Sequence, residues 1–308
     1  MKHFLCLNDL SAAEIEYLLD LAIDLKDEWK AGGNRGQLAG QTLAMVFQKP
    51  SLRTRVSFDM GMIQLGGQAL YLSPSEIQLG KRESVADVAR VLARYVDGIM
   101  ARVFSHEHIV ELAQNSSVPV INGLSDYNHP CQGMADLLTI KEKHGRIADL
   151  KVAFVGDGNN VARTLMFGTA KLGAHFVVAT PDGYGISAED VALAEQYAVE
   201  SGGSISTLSD PAAAVAGAAV IYTDTWASMG QEEEAAIRRQ AFPPYQVNQS
   251  LLEGASSDVI VMHCLPAHRG EEITDQVADG PFSALFDQAE NRLHAQKAIL
   301  VELMAQTS

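Results

Sequence analysis

Short apolar runs recur along this chain, each followed by a stretch with helical periodicity, and the pattern restarts half-way through. An opening helix is expected over roughly residues 11–31. Thr42–Phe47 is the first strand candidate. Val56, Met60 and Ile63 then recur at i, i+4 and i+7, which predicts a helix. Leu70–Leu72 is a short strand. Ser84 can cap a helix with Asp87 three residues on, and Val85, Val88, Leu92 and Tyr95 should form its buried stripe. Gly98–Phe104 and Val118–Ile121 read as strands with a helix between them, and Pro130–His144 as a helix closed by Gly145. The second series has strands at Lys151–Val155, Phe176–Ala179, Val220–Thr223 and Val259–Met262, with helices at Val161–Leu172 and about 188–201. Ala284–Gln306 reads as one long terminal helix. Strands that alternate with helices pair in parallel, because a parallel neighbour needs a crossover connection. The fold class is therefore α/β, with two domains, each a mainly parallel sheet flanked by helices. A length of 308 residues suits two domains, and the boundary falls near 145–150.

Charge narrows the partners. The chain carries 38 acidic and 23 basic residues, a net charge of −15. That argues against a nucleic acid or an anionic membrane as partner, but not against a small anion held by a few placed arginines. Residues 1–150 carry 15 basic and 18 acidic groups, a net of −3, and residues 151–308 carry 8 and 20, a net of −12. Different solvated surfaces would account for this. So would an anion held by the first half and a cation by the second. Three scattered cysteines, Cys6, Cys131 and Cys264, make no disulfide framework, which suits a reducing, cytoplasmic setting. The first residues have neither the apolar core of a signal peptide nor the bias of a transit segment. No run of about 18 apolar residues is present to span a membrane.

Five clusters carry chemistry. In Phe47-Gln48-Lys49-Pro50-Ser51-Leu52-Arg53-Thr54-Arg55 a strand ends, turns and enters a helix. Free N–H groups at a helix start, hydroxyls from Ser51 and Thr54, and guanidinium forks from Arg53 and Arg55 would make a phosphate cradle without glycines. The same residues would equally make a serine cap followed by surface arginines. Arg102 interrupts the otherwise apolar strand Ile99–Phe104; at the strand's C-terminal end it would face the ligand crevice of an open sheet. His129-Pro130-Cys131-Gln132 places a histidine and a glutamine at a helix mouth, with Pro130 in the first turn. No second pair at zinc-like spacing accompanies His129 and Cys131, so no metal is expected. Val155-Gly156-Asp157-Gly158-Asn159-Asn160-Val161 resembles a dinucleotide fingerprint but has valine where the third glycine belongs. It reads instead as a tight turn presenting Asn160. Last, Asp224-Thr225-Trp226-Ala227-Ser228-Met229-Gly230 and His263-Cys264-Leu265-Pro266 each follow an apolar strand and offer an acid for an amine and a thiol.

With these motifs in this order, essentially the whole chain resembles the ornithine carbamoyltransferases. The resemblance implies a trimer of two-domain subunits with active sites at subunit interfaces and no cofactor. It implies a carbamoyl-phosphate domain over 1–147, an ornithine domain over 148–283, and a helix over 284–308 packing back on the first domain. Ser51, Leu52 (through its backbone), Arg53, Thr54 and Arg55 correspond to phosphate positions. Arg102 would touch phosphate and carbonyl oxygen, and His129 and Gln132 the carbamoyl group. Gln78 would reach the neighbouring subunit's site, and Arg292 would be a late carbamoyl-phosphate contact. Asn160, Asp224, Ser228 and Met229 match ornithine contacts, and Cys264 and Leu265 the loop between the substrates. The implied reaction moves the carbamoyl group of carbamoyl phosphate to the δ-amine of L-ornithine, giving L-citrulline and phosphate, in arginine metabolism. Arg102, His129, Cys264 and Asp224 carry the chemistry. The amine must lose a proton to a Cys264 thiolate or to phosphate, and residues alone leave both open. Three rival readings stand beside this one: another amine such as putrescine or an N-acylated ornithine, a phosphate-binding module without catalysis, and a nicotinamide oxidoreductase.

Overall fold

The computed structural model describes residues 1–227 and 234–305. The chain folds into two compact units, one of Met1–Ala135 with the chain from Asn291 onward, the other of Asp136–Glu290.

The first unit opens with α1 (Ala12–Lys30), started by a reciprocal capping box between Ser11 and Glu14. Then come β1 (Thr42–Phe47), α2 (Leu52–Gln64), β2 (Gln68–Leu72), the one-turn α3 (Pro74–Ile77) and α4 (Val85–Leu92). β3 (Gly98–Arg102), α5 (His106–Asn115), β4 (Val120–Leu124) and the start of α6 (Pro130–His144) complete the series. The four strands pair in parallel in the order β2-β1-β3-β4. β1 and β3 are central, and from Leu43 to Arg102 nearly every residue on them is buried, as a sheet covered on both faces demands.

The second unit takes over within α6 and runs through β5 (Lys151–Val155), α7 (Asn160–Lys171), β6 (His175–Ala179), α8 (Ala188–Ser201) and β7 (Ser204–Leu208). There follow α9 (Pro211–Val215), β8 (Val220–Thr223), α10 (Ala235–Ala241), α11 (Gln249–Leu252), β9 (Ile260–His263), α12 (Asp275–Ala278) and the start of α13 (Leu285–Met304). Its five strands are parallel in the order β7-β6-β5-β8-β9. Its core joins Ala153, Val155, Ile221 and Val261 of the sheet to Val215, Val277 and Leu285 of the helices.

From Asn291 the terminal helix packs on the first unit. A Cβ on Gly61 of α2 would lie 3.5 Å from Leu300, and one on Gly98 of β3 would lie 3.0 Å from Met304. The seam also holds buried cations. Lys26 donates to Asn291 Oδ1 at 2.7 Å and Lys297 to Asn34 Oδ1 at 2.6 Å. Burial pulls the Lys297 ammonium down to about 8.

The structure differs from the sequence expectations in physically instructive places. The divide expected near 147 and 283 compares with compact units that change over inside α6 and α13, since a helix need not break where its buried neighbours change. The edge strand β7 gave no signal, because Ser204, Ser206 and Thr207 face solvent and carry no apolar alternation. α2 forms, but Val56, Met60 and Ile63 are exposed, and the buried face is Thr54, Phe58, Gly61 and Met62. Tyr95 lies beyond the end of α4 and is exposed rather than part of its buried stripe. No helix among the described residues is long and apolar enough to cross a membrane.

Candidate functional site

Each sheet has one place where the strand order reverses. In the first unit the chain leaves β1 toward β2 on one side, then places β3 on the other. In the second it leaves β5 toward β6, then places β8 on the far side. At such a switch point the connections part in opposite directions and open a crevice at the C-terminal strand ends, where ligands bind. The expected residues collect at these two places.

At the first switch point the chain leaves β1 and enters α2 through Ser51, whose hydroxyl caps the helix by accepting from Thr54 N–H. Thr54 is fully buried and acts as a hub. Its Oγ1 accepts from Arg102 Nη1 at 3.3 Å and from Arg292 Nη2 at 2.9 Å, and Ser51 Oγ lies 3.1 Å away. Two guanidinium groups thus converge on one hydroxyl beside a helix N-terminus. Both arginines are nearly buried. Arg102 is the last residue of β3, at the C-terminal strand end, where the β3–β4 register shifts so that Arg102 pairs with Leu124 and Gly123 of β4 is left over.

His129 sits at the mouth of α6, its carbonyl accepting from the N–H groups of Gln132 and Gly133. A small polar turn holds it there. Asn122 donates to Asn128 Oδ1 at 2.6 Å and to Leu5 O at 2.9 Å, while Ser125 N–H donates to Asn128 O at 2.9 Å. Burial, and then Arg292, Arg102, Lys49 and Arg53, hold the His129 imidazole well below its usual range. The ring is therefore neutral at physiological pH, with one N–H to donate. Gln132 is buried one turn along. Cys131 instead donates to Asn122 O, and burial pushes its thiol up to about 12 against the pull of Arg292.

Arg55 departs from the cluster. It is exposed and lies over the Tyr71 ring, 4.0 Å from the centroid. The Leu52 side chain is exposed, which leaves its backbone as the part at the helix start. Gln78 ends α3 with φ of 40° and is exposed. A left-handed glutamine is strained backbone, held by bonds to Pro74 O and Ser75 O. Gln48 donates to Leu79 O at 3.0 Å and accepts from Phe104 N at 2.8 Å, and so ties this loop to the exit of β3.

At the second switch point Asp224 follows β8 and is nearly buried. Asn159 Nδ2 donates to its Oδ2 at 2.7 Å, and the Cys264 thiol donates to its Oδ1 at 3.0 Å. Asn159 also caps α7, its Oδ1 accepting from the Val161 and Ala162 N–H groups. Asn160, the residue expected here, begins that helix. Behind Cys264, His263 accepts from Leu265 N–H at Nδ1 (2.9 Å), so its proton lies on Nε2 and is given to the buried Glu272 at 3.0 Å. Leu265 has φ of 57°. Ser228 and Met229, expected as ornithine contacts, lie outside the described residues.

Donor atoms of Asp224, His263 and Cys264 lie within 4.8 Å of one another, as do those of His268, Glu271 and Glu272. Both His263 nitrogens and the Cys264 thiol are already engaged in hydrogen bonds, so the first set is a polar brace around a carboxylate.

Residues 2–142 match the carbamoyl-phosphate-binding domain of the aspartate/ornithine carbamoyltransferases, and residues 148–303 match their aspartate/ornithine-binding domain. The chain belongs to the aspartate/ornithine carbamoyltransferase family. An ornithine carbamoyltransferase from Thermococcus kodakarensis is 58% identical over 98% of this chain and 96% of its own length. One from Pyrococcus furiosus, named as anabolic, is 57% identical over the same shares. The solved structure of the Pyrococcus furiosus ornithine carbamoyltransferase superposes with a TM-score of 0.96, covering 98% of this chain and 97% of that one.

Within this family frame the sequence motifs converge as spacing alone could not show. Arg292, more than two hundred residues from Ser51, completes the Thr54 hub. Sequence reasoning passed over Gln48, Asn122, Asn128, Asn159 and Glu272. Of these only Asn159 carried a readable local signal, an asparagine directly before a helix. The rest are recognised by their partners.

Proposed function

We infer that the protein transfers the carbamoyl group from carbamoyl phosphate to the δ-amine of L-ornithine, giving L-citrulline and phosphate. The observation that carries this is the Thr54 hub: two buried guanidinium groups and a helix start converge on one hydroxyl beside a neutral imidazole. This occurs in a chain 58% identical to an ornithine carbamoyltransferase.

The phosphate of carbamoyl phosphate is taken by the α2 start, through Ser51, the Leu52 backbone, Arg53 and Thr54, with Arg102 and Arg292. Arg55, on its tyrosine, adds charge at longer range. As the amine attacks, negative charge grows on the carbamoyl oxygen. Arg102, the Thr54 hydroxyl and the N–H of neutral His129 hold it, and one such donor is typically worth roughly 3–4 kcal/mol. Gln132 orients the carbamoyl amide group. Asn160, Asp224, Ser228 and Met229 hold ornithine, and Cys264 and Leu265 carry the turn after β9, with Cys264 on the Asp224 carboxylate.

An alkyl ammonium has a pKa of about 10.4, so ornithine must give up a proton before it attacks. Cys264 Sγ lies 3.0 Å from Asp224 Oδ1, and a carboxylate at that distance favours the protonated thiol over the thiolate. That favours the departing phosphate as the acceptor, with Asp224 orienting the amine.

The chain works as a cytoplasmic homotrimer, with Gln78 reaching the neighbouring subunit's site. The exposed apolar row of Leu52, Val56, Met60 and Ile63 on α2 supports a subunit contact, since a contiguous exposed apolar ridge marks an interface. The anabolic designation of the Pyrococcus furiosus relative supports a role in arginine biosynthesis.

The test is carbamoyl transfer by the purified chain, read as citrulline from ornithine, N-carbamoylputrescine from putrescine and N-acetylcitrulline from N-acetylornithine. Ornithine is expected to be strongly preferred; no citrulline, or equal rates with another amine, would overturn the reading. Arg102→Ala should lower kcat by roughly a hundredfold or more while the fold persists.

A further inference from the structure

The turn after β5 contains an acid that the reaction does not use. Asp157 is nearly buried and lies two residues before Asn159. Its Oδ2 is 3.0 Å from Nη1 of Arg238, a buried arginine on α10. The same Nη1 donates to Trp226 O at 2.8 Å. The other edge of the guanidinium, Nε and Nη2, meets the Glu234 carboxylate at 3.1 Å. Its face lies over the Tyr184 ring, 4.8 Å from the centroid.

These contacts close a ring. From Asp157 the backbone runs two residues to Asn159, whose amide donates to Asp224 at 2.7 Å. From Asp224 it runs two residues to Trp226, whose carbonyl is held by Arg238, and Arg238 returns to Asp157. The two strand exits that frame the candidate acid are thus tied at one end by Asn159–Asp224 and at the other by Asp157–Arg238. Gly158 tightens the first exit. A Cβ there would lie 2.5 Å from Ile186 N and 2.6 Å from Gly185 C, so the turn is pressed against the backbone that follows β6.

We infer that the Asp157–Arg238 pair is a positioning element for ornithine, setting the spacing of the β5 and β8 exits and hence the direction of the Asp224 carboxylate. This rests on the assignment of Asp224 to ornithine. Neither residue touches substrate; each acts through Asp224 and Asn159. Lysine is no substitute for Arg238, because a single ammonium cannot serve a carboxylate and a carbonyl from one edge, a second carboxylate from the other, and an aromatic ring from its face.

The pair has its own pH signature. Burial raises Asp157 to about 6, with Asp224 and Glu234 adding to the rise and Arg238 opposing it. These are the charged groups that face it: Arg238 and Glu234 from α10 and its approach, and Asp224 from the exit of β8. Above pH 6 the pair is ionic. Below it Asp157 is neutral and its hold on Arg238 slackens.

Asp157→Asn and Arg238→Met are compared with the unaltered full-length enzyme by steady-state kinetics in both substrates between pH 5 and 9. Each variant should raise the KM for ornithine at least about tenfold at pH 8, leave the KM for carbamoyl phosphate unchanged and alter kcat less. The near-isosteric Asp157→Asn should also lose an acidic limb near pH 6 in kcat/KM for ornithine. Equal effects on both substrates, or an Asp157→Asn enzyme with unaltered ornithine KM and acidic limb, would overturn the inference. Should Arg238→Met fail to fold, Asp157→Asn decides alone. An unaltered enzyme that makes no citrulline would defeat the functional reading instead, which keeps the two failures distinguishable.

Discussion

His129 shows why a residue's chemistry depends on its surroundings. The histidine was legible in the sequence, but its protonation state was not. Four cations and full burial keep its ring neutral, so it takes up no proton as pH falls through 6.5. Activity should therefore show no limb near 6.5 that His129→Asn removes, a comparison of kcat/KM for carbamoyl phosphate across pH 5.5–8 being the check. The unfolded chain, with an ordinary histidine, does bind that proton, so burial of His129 costs stability progressively as the solution is acidified below 6.5. The cysteines differ for the same reason. Cys131 is buried with its thiol pushed up to about 12, Cys6 is buried, and Cys264 is partly exposed. A thiol reagent should modify one cysteine per native chain and three after denaturation, and rapid native labelling of Cys131 would contradict its burial. With phosphate as the proton acceptor, Cys264→Ser should lower kcat yet keep the shape of the pH–rate profile.

At the scale of elements, the strands and helices that place the site were readable where their side chains are sorted by burial. β1, β5 and β8 are buried apolar runs bounded by turns, and each lies within a residue or so of its expected position. β7 was invisible because its residues are mostly polar and exposed. The stripe of α2 misleads for the opposite reason: its apolar residues are real but face outward, while Thr54 and Gly61 face the interior. The turn Gly156–Asn159 was legible as a tight turn, but its reason was not. Gly158 is required by the approach of the Gly185–Ile186 backbone. Gly158→Ala should cost roughly 1–3 kcal/mol of stability, since backbone on both sides must shift to admit the methyl group. Urea denaturation midpoints would measure this, and an unchanged midpoint would show that the turn yields freely.

For the molecule as a whole, two parallel sheets each carry one switch point, and each switch point gathers one set of the candidate residues. The first unit gathers Arg102, Arg292 and the α2 start, and the second gathers Asp224, Asn159 and Cys264. The charge asymmetry between the halves of the chain runs the same way. Separate sheets imply separable binding. Asp224→Asn should weaken ornithine binding by at least about tenfold, the usual scale for losing a charged partner, and leave carbamoyl phosphate affinity nearly intact. Isothermal titration with each ligand checks this, and equal loss of both would contradict the division.

By itself the amino-acid order determined the α/β rhythm, the two-part organisation, the helix starts and the residue types able to hold an anion or an amine. These follow from local periodicity, capping and turn chemistry, which act over a few residues. Only the tertiary structure decided that Arg102 and Arg292 meet on Thr54, that Asn159 rather than its neighbour grips Asp224, and that Arg238 closes the ring with Asp157. Such contacts join residues tens to hundreds of positions apart. Their geometry and their low-dielectric surroundings come into being only once the chain has packed.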